Sequence, residues 1–240
     1  NFASKVADAV FTGQSSLEGA AEFYRDVKDR ATKHGRDPNE ILILPGCSPI
    51  VGQTPEEAEA KYQEIANLVV IEDALNYLGR YFNDMDFTPY GLDDPFPELG
   101  DFARNGWEST TDRIKQLVKD ENLTLRQMAL RSTTPKHPFI GTPGQIADTM
   151  QAWFEAGAAD GFMMNAAVLP DGFYDFIDHV LPILKDRGLF RTEYESDTLH
   201  GNLGLSKPAN RYTATPRHET QPLQPKYSPT VRTKSRTAKR

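Results

Sequence analysis

Short apolar segments, each followed by a helix-start signal, constrain this chain most strongly. The clearest is the ILIL run at Ile41–Leu44, which is apolar on both faces, as a strand covered on both sides should be. Comparable strand signals fall at Ala9–Phe11, Phe139–Ile140 and Gly161–Met164. Because strands that alternate with helices form parallel sheets with right-handed crossovers, the pattern predicts an α/β fold.

Capping patterns mark where the predicted helices begin. Ser15, Thr54 and Thr142 each precede a Glu or Gln by three residues, which is the spacing of a capping box. Pro55 and Pro143 stand at the first helical position, where the missing N–H has no cost. Three such patterns, each after a strand signal, support the alternation of strands and helices.

The predicted helices carry apolar stripes that we expect to be buried core rather than a cofactor site. These positions are Phe23, Val27 and Ala31, then Ile146, Met150 and Phe154 with Trp153 beside them, and finally Phe173, Phe176, Ile177, Val180, Leu181 and Leu184. We expect Pro182 to bend the last helix.

Four strand signals are too few for a complete (β/α)8 barrel, which needs eight strands and about 250 residues. A long insert without strand signals runs from about 79 to 138 and contains a predicted helix at Thr110–Val118. We therefore expect residues 1–206 to be the C-terminal half of a TIM barrel, with about four β-α units, from a longer enzyme.

Charge divides the chain near residue 206. Residues 207–240 hold nine Lys or Arg and one acid, whereas the rest of the chain holds 18 basic and 33 acidic residues. The acidic body argues against a nucleic-acid surface. We expect 207–240 to be a disordered, solvated tail, and the alternative is an arm for nucleic acid or an anionic membrane.

The compartment and the kinds of partner are constrained by what the sequence lacks. Cys47 is the single cysteine, so no disulfide can form within the chain. No apolar run approaches the length of a membrane span, and the first residues show no signal-peptide pattern. We expect a cytoplasmic protein without a nucleic-acid or membrane partner.

Several stretches of the chain resemble one group of enzymes. They are ADAVFTGQ (7–14), ILPGCSPIVGQTPEEAEAKY (43–62), FIGTPGQIADTMQAWFEAGAADGF (139–162), LPDGFYDFIDHVLPILKDRGLFRTEYESDTLHGNLGL (169–205) and KPANRY (207–212). With these stretches the sequence resembles the nitrilotriacetate monooxygenase component A group of the bacterial-luciferase-like superfamily. The run RGLFRTEYESDTL is the most specific part of the resemblance.

The resemblance implies an FMN-dependent monooxygenase on a TIM barrel. Reduced FMN would come from a separate flavin reductase, and the flavin with O₂ would oxidise a small organic substrate. The family's flavin-phosphate segment lies just before the position that matches Asn1, so the catalytic and cofactor-binding residues of this chain stay unassigned. We expect a homo-oligomer. The alternative is a non-catalytic truncated product that acts as an interaction or folding fragment.

Active sites of TIM barrels lie at the carboxyl ends of the strands. The segments predicted there are Thr12–Gln14, Pro45–Cys47, Gly141–Thr142 and Met164–Asn165.

Two of these residues are candidates for the wall of a pocket. Gln14 could hydrogen-bond flavin or substrate, or it could belong to a helix-entry turn. Asn165 could line the pocket, or it could be a loop residue that bonds its own backbone.

The remaining reactive side chains point to structural roles. We expect Cys47 to be a buried small hydrophobe rather than a nucleophile. The five histidines show no metal-ligand spacing, so no metal site is predicted. Asp8 and Asp160 each precede a strand, at the end of the barrel where residues serve stability.

Overall fold

The computed structural model describes residues 1–100 and 108–208, which contain five strands and ten α-helices. Contacts divide the chain into Asn1–Ser206 and Lys207–Arg240, and all these elements belong to the first unit. The strands are β1 (Ala9–Thr12), β2 (Leu42–Cys47), β3 (Ile50–Val51), β4 (Ile140–Gly141) and β5 (Met163–Met164). The helices are α1 (Ala3–Val6), α2 (Leu17–Lys33), α3 (Pro55–Asn67), α4 (Ile71–Arg80), α5 (Glu108–Glu121), α6 (Leu125–Thr133), α7 (Pro143–Glu155), α8 (Asp171–Asp175), α9 (Leu181–Asp186) and α10 (Leu199–Asn202). The predicted disordered tail lies outside the described residues, apart from 207 and 208.

The strands form two small parallel sheets. β2 is the centre of a three-stranded sheet in the order β1-β2-β5, and β3 pairs with β4 in the other sheet. In the larger sheet Val10 lies opposite Ile43, and Gly46 lies opposite Met163. All the pairs are parallel, which confirms the predicted α/β architecture.

The third predicted strand, Phe139–Ile140, does not join the larger sheet. It is observed as β4 and pairs with β3, a strand that was not predicted from the sequence. After β2 the chain continues directly into β3, and the Ile50 amide donates to the Phe139 carbonyl at 3.0 Å. The carboxyl end of β2 is therefore left to pair with β5, where the Asn165 amide donates to the Cys47 carbonyl at 2.8 Å.

Two of the three predicted caps are confirmed, and the first is displaced by one residue. Thr54 and Thr142 cap α3 and α7 as predicted, and at α7 the capping box is complete. At α3 the Glu57 carboxylate instead accepts a hydrogen bond from the Gln53 amide at 2.9 Å. The predicted cap at Ser15 is wrong, because α2 begins at Leu17 and Ser16 is the last residue with an extended backbone. The Ser16 hydroxyl oxygen accepts a hydrogen bond from the Gly19 amide at 3.2 Å.

Most of the predicted apolar stripes face the core. Buried positions include Val27, Ala31, Ile146, Met150, Trp153, Phe176, Val180 and Leu184. Three predicted core residues, Phe154, Phe173 and Ile177, are exposed instead. In α7, Trp153 fills the core position that Phe154 was expected to share. In the last helical segment, a π-helical turn at Phe176–Val180, just before Pro182, changes the phase of the stripe.

The insert has a hydrophobic core of its own. Leu78, Phe82, Phe87, Leu125 and Met128 are among its buried residues. The predicted helix at 110–118 lies within α5, whereas α6 was missed. The core also draws on α4, which begins before the predicted start of the insert at 79.

Candidate functional site

The carboxyl ends of β1, β2 and β5 meet at one edge of the larger sheet. β2 is hydrogen-bonded to both neighbours, and its last two residues, Gly46 and Cys47, lie opposite Met163 and Met164. This edge is where folds of parallel strands and helices place their chemistry. Three of the four segments predicted for the site end here. The fourth, Gly141–Thr142, belongs to the smaller sheet and to the cap of α7.

The two faces of β2 differ in burial. Ile43, Pro45 and Cys47 are buried, and Ile43 and Cys47 belong to hydrophobic clusters that include residues of α2 and α7. The alternate residues, Leu42, Leu44 and Gly46, are only partly buried. Because residues two apart in a strand share a face, one side of the sheet packs on helices and the other does not.

We call the less buried side the open face. It consists of Ala9, Phe11, Leu42, Leu44, Gly46 and Met163, and Asn165 follows Met163 on the same side. Phe11 is 64% exposed and Met163 is 45% exposed. Within β1, β2 and β5, all of which the structure describes, no side chain of this face is charged.

Gly46 brings Phe11 and Asn165 to the same point of the open face. A Cβ atom added to Gly46 would lie 3.2 Å from Cε2 of Phe11 and 3.7 Å from Nδ2 of Asn165. The Phe11 ring therefore rests against the Gly46 backbone, with the Asn165 amide beside it. Asn165 was predicted from the sequence as a pocket-wall candidate, whereas Phe11 was not, although the alternation of faces along β1 was an available signal.

Gln14 lies in the turn between β1 and α2. Its Nε2 donates to the Thr12 hydroxyl oxygen at 2.9 Å, and its Oε1 lies 3.6 Å from where a Cβ of Gly19 would be. This position matches the helix-entry turn that was weighed against a pocket role. Within the described residues the Oε1 atom has no hydrogen-bond partner, so it retains the capacity to accept one.

Cys47 is fully buried, as predicted for a small hydrophobe. It packs with Val51, Phe139 and Trp153 on the helix-covered side of β2. Burial raises the pKa of the Cys47 thiol far above its ordinary value. Since the thiolate is the nucleophilic form, this residue is unsuited to nucleophilic catalysis.

A concavity lies between α3 and α7, away from the open face. It has a volume of about 560 Å³, and its lining includes Glu59, Lys136, His137, Gln145 and Asp148. Its charges are already paired, because Lys136 Nζ lies 2.7 Å from a Glu59 carboxylate oxygen and Arg187 binds Asp148 at 2.6 Å. The open face is therefore the stronger candidate for a functional site.

The described ranges, 1–100 and 108–208, contain neither a metal-binding cluster nor a helix that could span a membrane. No three His, Cys, Asp or Glu residues in these ranges cluster in a way that could hold a metal ion. None of the helices there combines the length and the apolar composition that a bilayer crossing requires.

Comparison with known proteins finds matches along most of the chain. A family model described as luciferase-like monooxygenase matches residues 1–160. N-acetyl-S-(2-succino)cysteine monooxygenase from Bacillus subtilis (strain 168) is 42% identical over 212 residues, which are 88% of this chain and 48% of that protein. Nitrilotriacetate monooxygenase component A from Aminobacter aminovorans is 41% identical over 210 residues, 87% of this chain and 46% of that protein.

A similar solved structure is that of riboflavin lyase with modified FMN and its substrate riboflavin. The TM-score is 0.63 at 27% identity, and the match covers 88% of this chain and 46% of that one. The chain thus spans about half the length of the curated relatives it matches.

Proposed function

Because this chain belongs to the luciferase-like monooxygenase family, we propose that it forms part of an FMN-dependent monooxygenase that uses reduced FMN and O₂ to oxidise a small organic substrate. The family match over residues 1–160 is the observation that carries the proposal. A relative crystallised with modified FMN supports FMN as the flavin. Another relative is named component A of its enzyme, which supports a separate reductase as the source of reduced flavin.

The open face carries no charged side chain and is therefore suited to contact the uncharged parts of the reactants. Bound reduced flavin would supply the electrons that activate O₂. The residues of this chain would contribute an apolar wall that excludes water, formed by Phe11, Leu44 and Met163. The Asn165 amide can donate or accept a hydrogen bond at the edge of that wall, and Gln14 Oε1 can accept one nearby.

Oxygen incorporation tests the proposal directly. The purified chain, and separately the complete product of the gene that encodes it, would be supplied with FMN, NADH, a flavin reductase and ¹⁸O₂. The substrate panel would contain thioethers, aromatic sulfones, aminopolycarboxylates and alkanes. We expect one class to gain a single ¹⁸O atom in the presence of the protein and not with free reduced flavin alone. Absence of ¹⁸O from every product with both polypeptides would contradict the proposal.

A further inference from the structure

The segment that leads from α6 into β4 is clamped to α3. We call residues 134–138 the return segment, because the chain leaves the insert there. The Tyr62 hydroxyl donates to the Thr134 carbonyl oxygen at 2.9 Å, and Tyr62 is buried. The Lys136 ammonium lies 2.7 Å from a Glu59 carboxylate oxygen and 5.5 Å from the centre of the Tyr62 ring. These contacts fix the return segment to one face of α3.

β4 follows the return segment and pairs with β3. The amides of Ile50 and Gly52 donate to carbonyl oxygens of the β4 side, at Phe139 and Gly141, with lengths of 3.0 and 3.1 Å. Each of the two strands has two residues, so the pair has few hydrogen bonds to lose when it opens. The junction between the insert and the smaller sheet therefore depends on the contacts of the return segment.

His137 lies within the return segment, and one of its ring nitrogens is buried without a partner. The Nδ1 atom makes no hydrogen bond within the described residues. The charged residues that line the surrounding groove are Glu59 of α3, Lys136 of the return segment and Asp148 of α7. Glu59 already pairs with Lys136. Asp148 already pairs with Arg187, so a proton added to the imidazole would create a poorly solvated charge next to Lys136, without a carboxylate of its own.

We propose that protonation of His137 opens this junction, so that the return segment separates from α3 and β4 separates from β3 while the larger sheet stays formed. Among the residues that line the groove, histidine is the only type whose ordinary pKa lies between 5.5 and 7.5. Burial lowers the pKa of His137 in the closed junction, so the open form takes up a proton more readily as the pH falls.

The insert should survive this opening as a folded unit. Its described core residues, among them Leu78, Phe82 and Leu125, include none from the return segment. Mild acid would thus free the insert to move against the larger sheet without unfolding either part. This device is independent of the reaction proposed above.

Hydrogen exchange followed by NMR tests the proposal at single amides. The reporters are the amides of Ile50 and Gly52, and the reference is the Leu42 amide, which donates to the Asp8 carbonyl in the larger sheet at 2.8 Å. Protection factors correct for the intrinsic effect of pH on exchange. We expect the reporters to be at least tenfold less protected than Leu42 and insensitive to low urea, because local opening exposes little surface.

The pH dependence of the same reporters identifies the titrating group. Between pH 7.5 and pH 5.5 their protection should fall by up to about tenfold, the limit for a histidine that titrates near 6.5 in the open form and not in the closed form. His137→Gln and His137→Phe should both abolish this fall, and the second variant keeps a ring of similar size. His179→Gln, at an exposed position, should retain it.

Tyr62→Phe supplies a positive control for the reporters. It removes the hydrogen bond to Thr134 and should lower reporter protection about fivefold at both pH values, since such a bond contributes roughly 1 kcal/mol. Two outcomes would overturn the proposal. In one, the reporters and Leu42 share the same protection and urea dependence, so that the junction opens only with the whole fold. In the other, the fall with pH persists in both His137 variants.

Discussion

Asp160 binds Lys28 through a carboxylate oxygen that lies 2.9 Å from the Lys28 Nζ, beside the amino-terminal half of β2. The same oxygen accepts the Ile43 amide at 2.8 Å, and the other carboxylate oxygen accepts the Tyr24 hydroxyl at 2.9 Å. Lys28 also donates to the Ile41 carbonyl at 2.6 Å. Burial, together with the Asp160 charge, raises the pKa of Tyr24 far above its ordinary value, so its hydroxyl stays protonated and donates. The network joins α2, β2 and the residue that leads into β5, in agreement with the stabilising role expected of Asp160.

Replacing Asp160 with Asn should destabilise the fold strongly. The substitution leaves the largely buried Lys28 ammonium without its counter-charge, although the backbone carbonyls remain as acceptors. We expect a loss of about 2–4 kcal/mol in the free energy of unfolding, measured by urea denaturation. Asp26→Asn, which breaks the exposed pair of Asp26 with Arg30, is the control and should have no resolvable effect. Equal effects of the two substitutions would show that the Asp160 network does not stabilise the fold.

The start of α2 can be located by two serine substitutions. Only Ser16 accepts a hydrogen bond from the first turn, from the Gly19 amide, whereas Ser15 is exposed and one residue too early. Ser16→Ala should therefore reduce the free energy of unfolding by about 1 kcal/mol, and Ser15→Ala should leave it almost unchanged. Thermal or urea unfolding of both variants measures this difference. A larger loss of unfolding free energy in Ser15→Ala than in Ser16→Ala would instead support Ser15, the cap that the sequence pattern predicted.

The turn after β3 should tolerate no side chain. A Cβ added to Gly52 would collide with the Ala58 backbone nitrogen and lie 2.8 Å from the Cα atom of Ala58, and helix backbone cannot move aside. Gly52→Ala should reduce stability by about 1–3 kcal/mol. Gly144 is the matched control, because a Cβ there meets nothing within 4 Å. Gly144→Ala, in the first turn of α7, should be neutral or stabilising by up to about 1 kcal/mol.

The sequence predicted those parts of the fold that depend on neighbouring residues. The cap of α7 at Thr142 and the buried face of β2 follow from local hydrogen bonding and from alternation along one strand. The pairing of β3 with β4 could not be predicted in the same way. Each strand has only two residues, and their hydrogen bonds join Ile50 to Phe139 across the whole insert. Such a pairing depends on the positions in the fold at which the chain enters and leaves the insert.

The candidate site could likewise be predicted only in part from the sequence. Asn165 could be selected because it is polar and follows a strand signal. The role of Gly46 depends on a diagonal contact with Phe11 on the neighbouring strand, and one strand's pattern does not contain that contact. Phe11 was predicted only as the last residue of the strand Ala9–Phe11, because its exposure depends on how the whole sheet packs.

The stability of the fold should fall in mildly acidic solution because of His137. Its Nδ1 atom is buried and has no hydrogen-bond partner within the described residues, in the groove between α3 and α7. Burial lowers the pKa of His137 below its ordinary value of 6.5, because the charged imidazolium is poorly solvated there. Below about pH 6.5 the unfolded chain therefore binds a proton that the folded chain resists binding. Stability should be complete above that pH and should decline as the pH falls from there through the lower, folded-state pKa.

Replacing His137 with Gln removes this proton uptake while keeping a polar side chain of similar length. The loss of unfolding free energy between pH 7.5 and pH 5.5, measured by urea denaturation, should be smaller in His137→Gln than in the unmodified chain. His179 is exposed on the π-helical turn, and His179→Gln serves as the control that should retain the original pH dependence. The comparison uses the difference between two pH values within each variant, so a constant effect of the substitution on packing cancels. A pH dependence in His137→Gln as steep as that of the control would show that His137 does not carry the acid sensitivity.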